Sequence, residues 1–194
     1  MSELIVSNGS AVAVLRSDGS VVTWGYASGG GNSSVVADQL ASDVQKIVPS
    51  NSSFAALKAD GSVITWGSSV DSGGDSSAVS DQLTSGVIDI AASPNTYTAL
   101  KSDGSVVIWG SEGYVGDSLQ LTGDVANIVA SSGNGYAALK SDGSVVTWGS
   151  DSSAVSDQLT SGVIEVVVSS GGGFAAIKSD GSVVTWGSDS SAVS

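Results

Sequence analysis

Five stretches of the chain alternate apolar and polar positions with a period of two. The last of them, Phe174-Ala-Ala-Ile-Lys-Ser-Asp-Gly-Ser-Val-Val-Thr-Trp-Gly187, shows the pattern most plainly. An apolar run, an Asp-Gly pair and a second apolar run predict a β-hairpin with the Asp-Gly at its tip. Near copies end at Trp24, Trp66, Trp109, Trp148 and Trp186, 38 to 43 residues apart, and these are the only tryptophans in the chain. A full unit from Gly149 to Trp186 also holds the run Gly162-Val-Ile-Glu-Val-Val-Val168 ahead of the hairpin and an outer segment, Ala154-Val-Ser-Asp-Gln-Leu159. The unit therefore reads as three clear strands and a weaker, outermost fourth. In Val183-Val-Thr-Trp186 one face carries Val183 and Thr185, the other Val184 and Trp186. Both faces are fairly apolar, as a sheet sandwiched between neighbours requires.

A repeat of this length, with β signals throughout and no helical periodicity, predicts an all-β fold. The expected architecture is a β-propeller with five blades of short antiparallel strands. Residues 1–194 then form a single propeller domain. The first repeat starts directly on its strand, and residues 187–194 match Gly149 to Ser156 letter for letter. If Ser194 corresponds to Ser156 and Met1 to Val163, the two ends make up a fifth repeat short by six residues. The termini would then meet in one blade and latch the ring; the other reading is an excerpt of a longer array.

Low charge, at 13%, and 26 glycines resemble a linker, but 41% hydrophobic residues in short aliphatic runs supply a core that linkers lack. The formal net charge of −13 opposes binding to nucleic acid or an anionic membrane and favours a soluble monomer. Cysteine and histidine are both missing, which removes thiol chemistry, the usual transition-metal ligands and the commonest general base. No catalytic constellation, metal site or cofactor is expected. The given chain shows no signal peptide or membrane-spanning run, and an extracellular module fits if it belongs to a larger protein.

Repeated polar positions supply the candidate sites. Arg16, Lys58, Lys101, Lys140 and Lys178 share one phase, two residues before each turn aspartate. They form either a circle of cations for an acidic partner or local partners of the turn acids. The Asp-Gly pairs themselves suggest turns, with calcium ligation or a sialidase-type Asp-box as rivals. That box needs a residue between its Ser and Asp, and Ser179-Asp180-Gly181 has none. At a second phase stand Val12, Phe54, Tyr97, Tyr136 and Phe174, which read as core or as sugar-stacking surfaces. The polar turns preceding them contribute Asn51, Asn95 and Asn134, side chains a glycan site could use. Connections after the first three tryptophans are long and carry Tyr26, Tyr114, Asp71 and Asp75. Variable loops on a rigid frame are where binding usually resides.

The aliphatic, Asp-Gly, Trp-Gly string at Phe174–Gly187 and its four counterparts resembles the regulator of chromosome condensation repeat family. It covers about half of every unit. The resemblance implies a propeller, typically of seven blades, and a role in binding proteins; the namesake exchanges nucleotide on a small GTPase and docks on chromatin. Here the units are shorter, number five, lack the Gly-Gln-Leu-Gly continuation, and have Ser10, Ser53, Thr96, Gly135 and Gly173 near the place of the family's histidine. Propeller architecture and a general binding role carry over; exchange activity does not. The expectation is a non-enzymatic scaffold that presents loops to an unknown protein partner, with a lectin using pockets between blades as the alternative.

Overall fold

The structure is a computed structural model and describes residues 3–68, 73–111, 121 and 123–187. It is a five-bladed β-propeller built from five antiparallel sheets of three strands each. Blade 1 comprises β1 (Leu4–Ser7), β2 (Ala11–Leu15) and β3 (Val21–Gly25). Blade 2 comprises β4 (Val44–Pro49), β5 (Ser53–Lys58) and β6 (Val63–Gly67), and blade 3 β7 (Val87–Ala92), β8 (Thr96–Lys101) and β9 (Val106–Gly110). Blade 4 comprises β10 (Val125–Ala130), β11 (Tyr136–Lys140) and β12 (Val145–Trp148), and blade 5 β13 (Val163–Val168), β14 (Phe174–Lys178) and β15 (Val183–Trp186). First strands touch one another from blade to blade, so they line the centre. The residues expected to bring both termini into one blade, 1–2 and 188–194, lie outside those described.

The outermost segment is not a fourth strand. It forms 3-10 turns, Ser34–Val36, Ser77–Leu83 and Ser153–Leu159. The Asp-Gln-Leu sequence ends two of these turns and follows the first, and its leucine enters the core: Leu40, Leu83 and Leu159 are buried, as is Leu121 of the corresponding Leu-Gln-Leu. A 3-10 turn puts that side chain inward while leaving Asp and Gln in solvent, which a strand edge with so many serines would not do.

Alternation along the strands distributes the core between blades. In β9, Val107 and Trp109 join blade 2 residues Ala55, Leu57 and Val63, while Ile108 points to blade 4 and meets Tyr136 and Trp148. Each blade thus has a leading face, with its Trp, and a trailing face of Ala, Leu and Val. The second-phase aromatics lie under the tryptophans: Phe54–Trp66, Tyr97–Trp109, Tyr136–Trp148 and Phe174–Trp186 stack with centroids 5.2 to 5.4 Å apart. They are cross-strand partners in the middle and outer strands, a pairing that adds to simple burial.

The hairpin tips close differently from the two-residue turn that Asp-Gly suggests. In blade 1, Gly19 N donates to Arg16 O at 3.0 Å and Arg16 N to Ser20 O at 2.9 Å. Only the glycine takes a positive φ, +81° at Gly19, so the loop is Ser-Asp-Gly with a bulge at glycine. A serine finishes it: Asp18 Oδ1 accepts from the Ser20 amide at 2.9 Å and hydroxyl at 2.7 Å. The same pair recurs at Asp60–Ser62, Asp103–Ser105, Asp142–Ser144 and Asp180–Ser182.

The tips of blades 1 to 4 also stitch each blade to the next. Val44 N donates to Gly19 O, Val87 N to Gly61 O, Val125 N to Gly104 O and Val163 N to Gly143 O, at 2.9 to 3.2 Å. The approach needs glycine: a Cβ on Gly61 would sit 2.7 Å from the Gly86 nitrogen.

Candidate functional site

Turns between the first and second strands of the blades gather around the axis at one mouth. Ser7, Asn8, Ser50, Asn51, Ser93, Pro94, Ser131 and Ser132, from four blades, line a cavity of about 410 Å³ there. No charged side chain lines it. The turns are held from within and between blades. Asn8 Oδ1 accepts from the amides of Ser10 and Ala11, and its Nδ2 donates to Gly29 O at 2.7 Å. Asn51 N donates to Pro94 O at 3.1 Å, joining blades 2 and 3, and Ser132 Oγ donates to Ser170 O at 3.1 Å, joining blades 4 and 5.

Beneath the mouth, two tyrosine hydroxyls tie blade to blade. Tyr136 OH donates to Thr96 O at 2.6 Å and accepts from the Ser93 amide at 3.1 Å, while Tyr97 OH is 3.1 Å from Ser53 Oγ. Burial pushes both phenols above their ordinary pKa, against the hydrogen bonds from Ser93 to Tyr136 and from Ser50 and Ser53 to Tyr97. These aromatics belong to the core, closed to any sugar.

The expected site residues divide clearly. Asn51, exposed, lines the mouth; Asn95 and Asn134 sit in the equivalent turns of blades 3 and 4. Asn134 adopts a left-handed φ of 62°, and its buried Oδ1 has no hydrogen-bond partner. The basic residues lie away from this cavity. Lys58, Lys101 and Lys178 donate from Nζ to Gln39 O, Gln82 O and Gln158 O, each at 2.9 Å, holding the end of an outer turn against the hairpin. Gln120, which holds the corresponding sequence position ahead of Lys140, is outside the described residues. Arg16 and the lysines act on the turn acids only weakly. The Ser62 hydroxyl, then its amide, hold the Asp60 carboxyl below the usual range, with Lys58 adding less, and the pattern repeats at Asp18, Asp103, Asp142 and Asp180.

The long connections also have a structural duty. Trp66 Nε1 donates to Gly30 O and Trp109 Nε1 to Gly73 O, both at 3.1 Å, so each loop reaches over the aromatic stack of the following blade. A Cβ on Gly30 would lie 2.7 Å from the Phe54 ring, and one on Gly73 2.5 Å from Tyr97. Tyr26 projects from the first loop, 76% exposed. Tyr114 and Asp71 fall outside the described residues, while Asp75 caps the Ser77 amide at 2.8 Å. Among the described residues no group of three or more acidic side chains could hold a metal ion, and no helix is long and apolar enough to cross a membrane.

Comparison with known proteins agrees on the fold. Sequence comparison matches no protein-family model and no curated protein. Among solved structures, human WBSCR16 aligns with a TM-score of 0.57 at 19% identity, over 92% of this chain and 59% of its own. The ectodomain of the receptor kinase CR4 from Physcomitrella patens gives 0.61 at 16%, over 96% and 52%. Yeast RCC1 (Prp20), solved bound to Kap60, gives 0.55 at 16%, over 92% and 54%. The chain has an RCC1-like fold and spans a little over half the length of these neighbours.

Proposed function

We propose that residues 1–194 act as one propeller domain, a non-enzymatic scaffold whose polar mouth binds a segment of a protein partner. The observation that carries this reading is the mouth itself. Its backbone is fixed by hydrogen bonds that cross from blade to blade, yet Asn51 and Ser132 remain exposed beside it. A preformed surface of this kind binds with little ordering cost. The hairpin-tip aspartates and Lys58, Lys101 and Lys178, by contrast, are engaged in turns, and Lys46 pairs with Asp89. Among the fold neighbours, yeast Prp20 was solved with Kap60, and a second study of it concerns binding to Gsp1p and histones. Those partners belong to Prp20, and what carries over is the use of an RCC1-like propeller as a protein-binding surface. The charge of −13 favours encounter with a basic partner.

The lectin alternative draws on the hydroxyl and amide groups of the mouth, since the four described aromatic stacks are buried. A photo-crosslinking residue at position 51 should give discrete protein adducts, and one at exposed Val35 on the outer side should not. Asn51→Arg combined with Ser132→Arg should remove them. Equal labelling from both positions, or adducts that survive the double substitution, would refute the assignment of the mouth. Binding to a glycan array would move the reading to the lectin.

A further inference from the structure

Five blades offer five junctions, but the four core clusters of the described residues join only consecutive blades, 1 with 2 through 4 with 5. Among the described residues nothing covers the leading face of blade 1. Trp24 is 51% exposed where Trp66, Trp109, Trp148 and Trp186 are 2 to 7%, and Ile5 is 67% exposed where its register equivalents Ile47, Ile90, Ile128 and Val166 are 2 to 4%. The trailing face of blade 5 is open as well: Val183 is 58% exposed, against 7% for Val63 and 8% for Val21. Among the described residues nothing lies within 4 Å of a Cβ built on Gly181, whereas Gly19, Gly61, Gly104 and Gly143 each meet backbone of the next blade at 2.6 to 3.0 Å.

The two faces carry the same kinds of side chain as the two halves of an internal junction. Ala175, Ile177 and Val183 repeat the trailing set Ala13, Leu15 and Val21, and Ile5 and Trp24 repeat the leading set Ile47 and Trp66. The internal junctions show what such halves do when they meet: the apolar sets close over each other and a glycine carbonyl takes the next blade's amide. We infer that the trailing face of blade 5 docks on the leading face of blade 1 of a second copy, head to tail. The contact is heterologous, so each copy keeps one unused half and assembly continues unless the ring of copies closes. This departs from the monomer that charge alone suggests, and it is independent of what the mouth binds.

Sedimentation velocity of the full chain over a range of concentrations tests it. The wild type should pass from monomer to dimer and larger species, and Trp24 emission should shift to the blue as the indole is covered. Ile5→Lys and Val183→Lys, each at an exposed position and each blocking one face, should both be monomeric with unchanged far-UV circular dichroism. Mixed, they should form a dimer and nothing larger, because each supplies the face the other lacks. That complementation also shows that both variants are folded. A wild type that stays monomeric at every concentration, because its own ends or another segment covers the faces, overturns the inference. So does self-association that persists in both single variants, which marks a contact elsewhere.

Discussion

Truncating Trp66 and Trp24 to alanine compares one side chain in two settings that differ mainly in cover. An indole offers roughly 200 Å² of surface, about 5 kcal/mol at 25 cal/mol per Å² as an upper bound. Trp66 is 5% exposed, stacks on Phe54 and donates to Gly30 O, so nearly all of that surface and one hydrogen bond are lost. Large-to-small substitutions of this kind cost about 3–5 kcal/mol, and about 4 is expected for Trp66→Ala. Trp24 is 51% exposed and has Val12, not an aromatic ring, opposite it. Its loss should cost about half the transfer energy at most, roughly 1–2 kcal/mol. Urea unfolding at micromolar protein, followed by far-UV circular dichroism, measures both. Repeat arrays can open unit by unit, so the midpoint of the first transition is the quantity to compare. If Trp24→Ala proves as costly as Trp66→Ala in a sample shown to be monomeric, the indole of blade 1 is covered within its own molecule. The reasoning from an open leading face then fails.

Three further outcomes follow from the junctions and turns. Trp66→Phe should cost about 1 kcal/mol more than Trp186→Phe in the same unfolding assay, because Trp66 loses a hydrogen bond while the buried Trp186 Nε1 has no partner to lose. Gly61→Ala and Gly181→Ala both strain a positive φ, +78° and +85°, but only the first also drives a Cβ into backbone. Gly61→Ala should therefore lower the melting temperature further, and equal effects would show that tip contacts do not matter. The turn acids Asp18, Asp60, Asp103, Asp142 and Asp180 have depressed folded-state pKa values, so their contribution is complete above the unfolded value near 3.8 and is lost as pH falls below it. Melting temperature should fall with pH below about 3.8, and changing the partner serines, Ser20, Ser62, Ser105, Ser144 and Ser182, to alanine should flatten that fall. A melting temperature that holds steady there would exclude the serine-stabilised turns.

Period and alternation made the blades legible before any coordinates, because both follow from the backbone: the two-residue pleat of a strand and the length of a hairpin unit. The faces of Val183-Val-Thr-Trp186 were readable for the same reason. The second serine of Ser-Asp-Gly-Ser is present in every copy, but Asp-Gly alone accounts for a turn, so the sequence gives no separate sign of the serine's bond to the carboxylate. For Lys58 and its counterparts the sequence offers a circle of cations or a local partner for the turn aspartate. The long arm of Lys58 reaches instead to a carbonyl 19 residues back in sequence, a contact that depends on how the outer turn folds over the hairpin. Gly30 and Gly73 sit in the long connections, and nothing local reveals that they lie on the rings of another blade. What escaped the sequence reading is, in each case, a contact between segments whose separation is set by packing and not by the chain.

The buried leucine of each connection has a consequence for folding. Because every trailing face resembles every other, side-chain chemistry alone would let blade 2 accept blade 5 as readily as blade 3. Leu83 sits in the junction between blades 2 and 3, in the one connection that joins them and a few residues ahead of β7. Tethering raises the local concentration of the adjacent blade far above that of any rival. Order in a chain of interchangeable parts is thus kept by the links, so lengthening them with flexible residues should promote skipped and exchanged pairings long before it weakens any single blade.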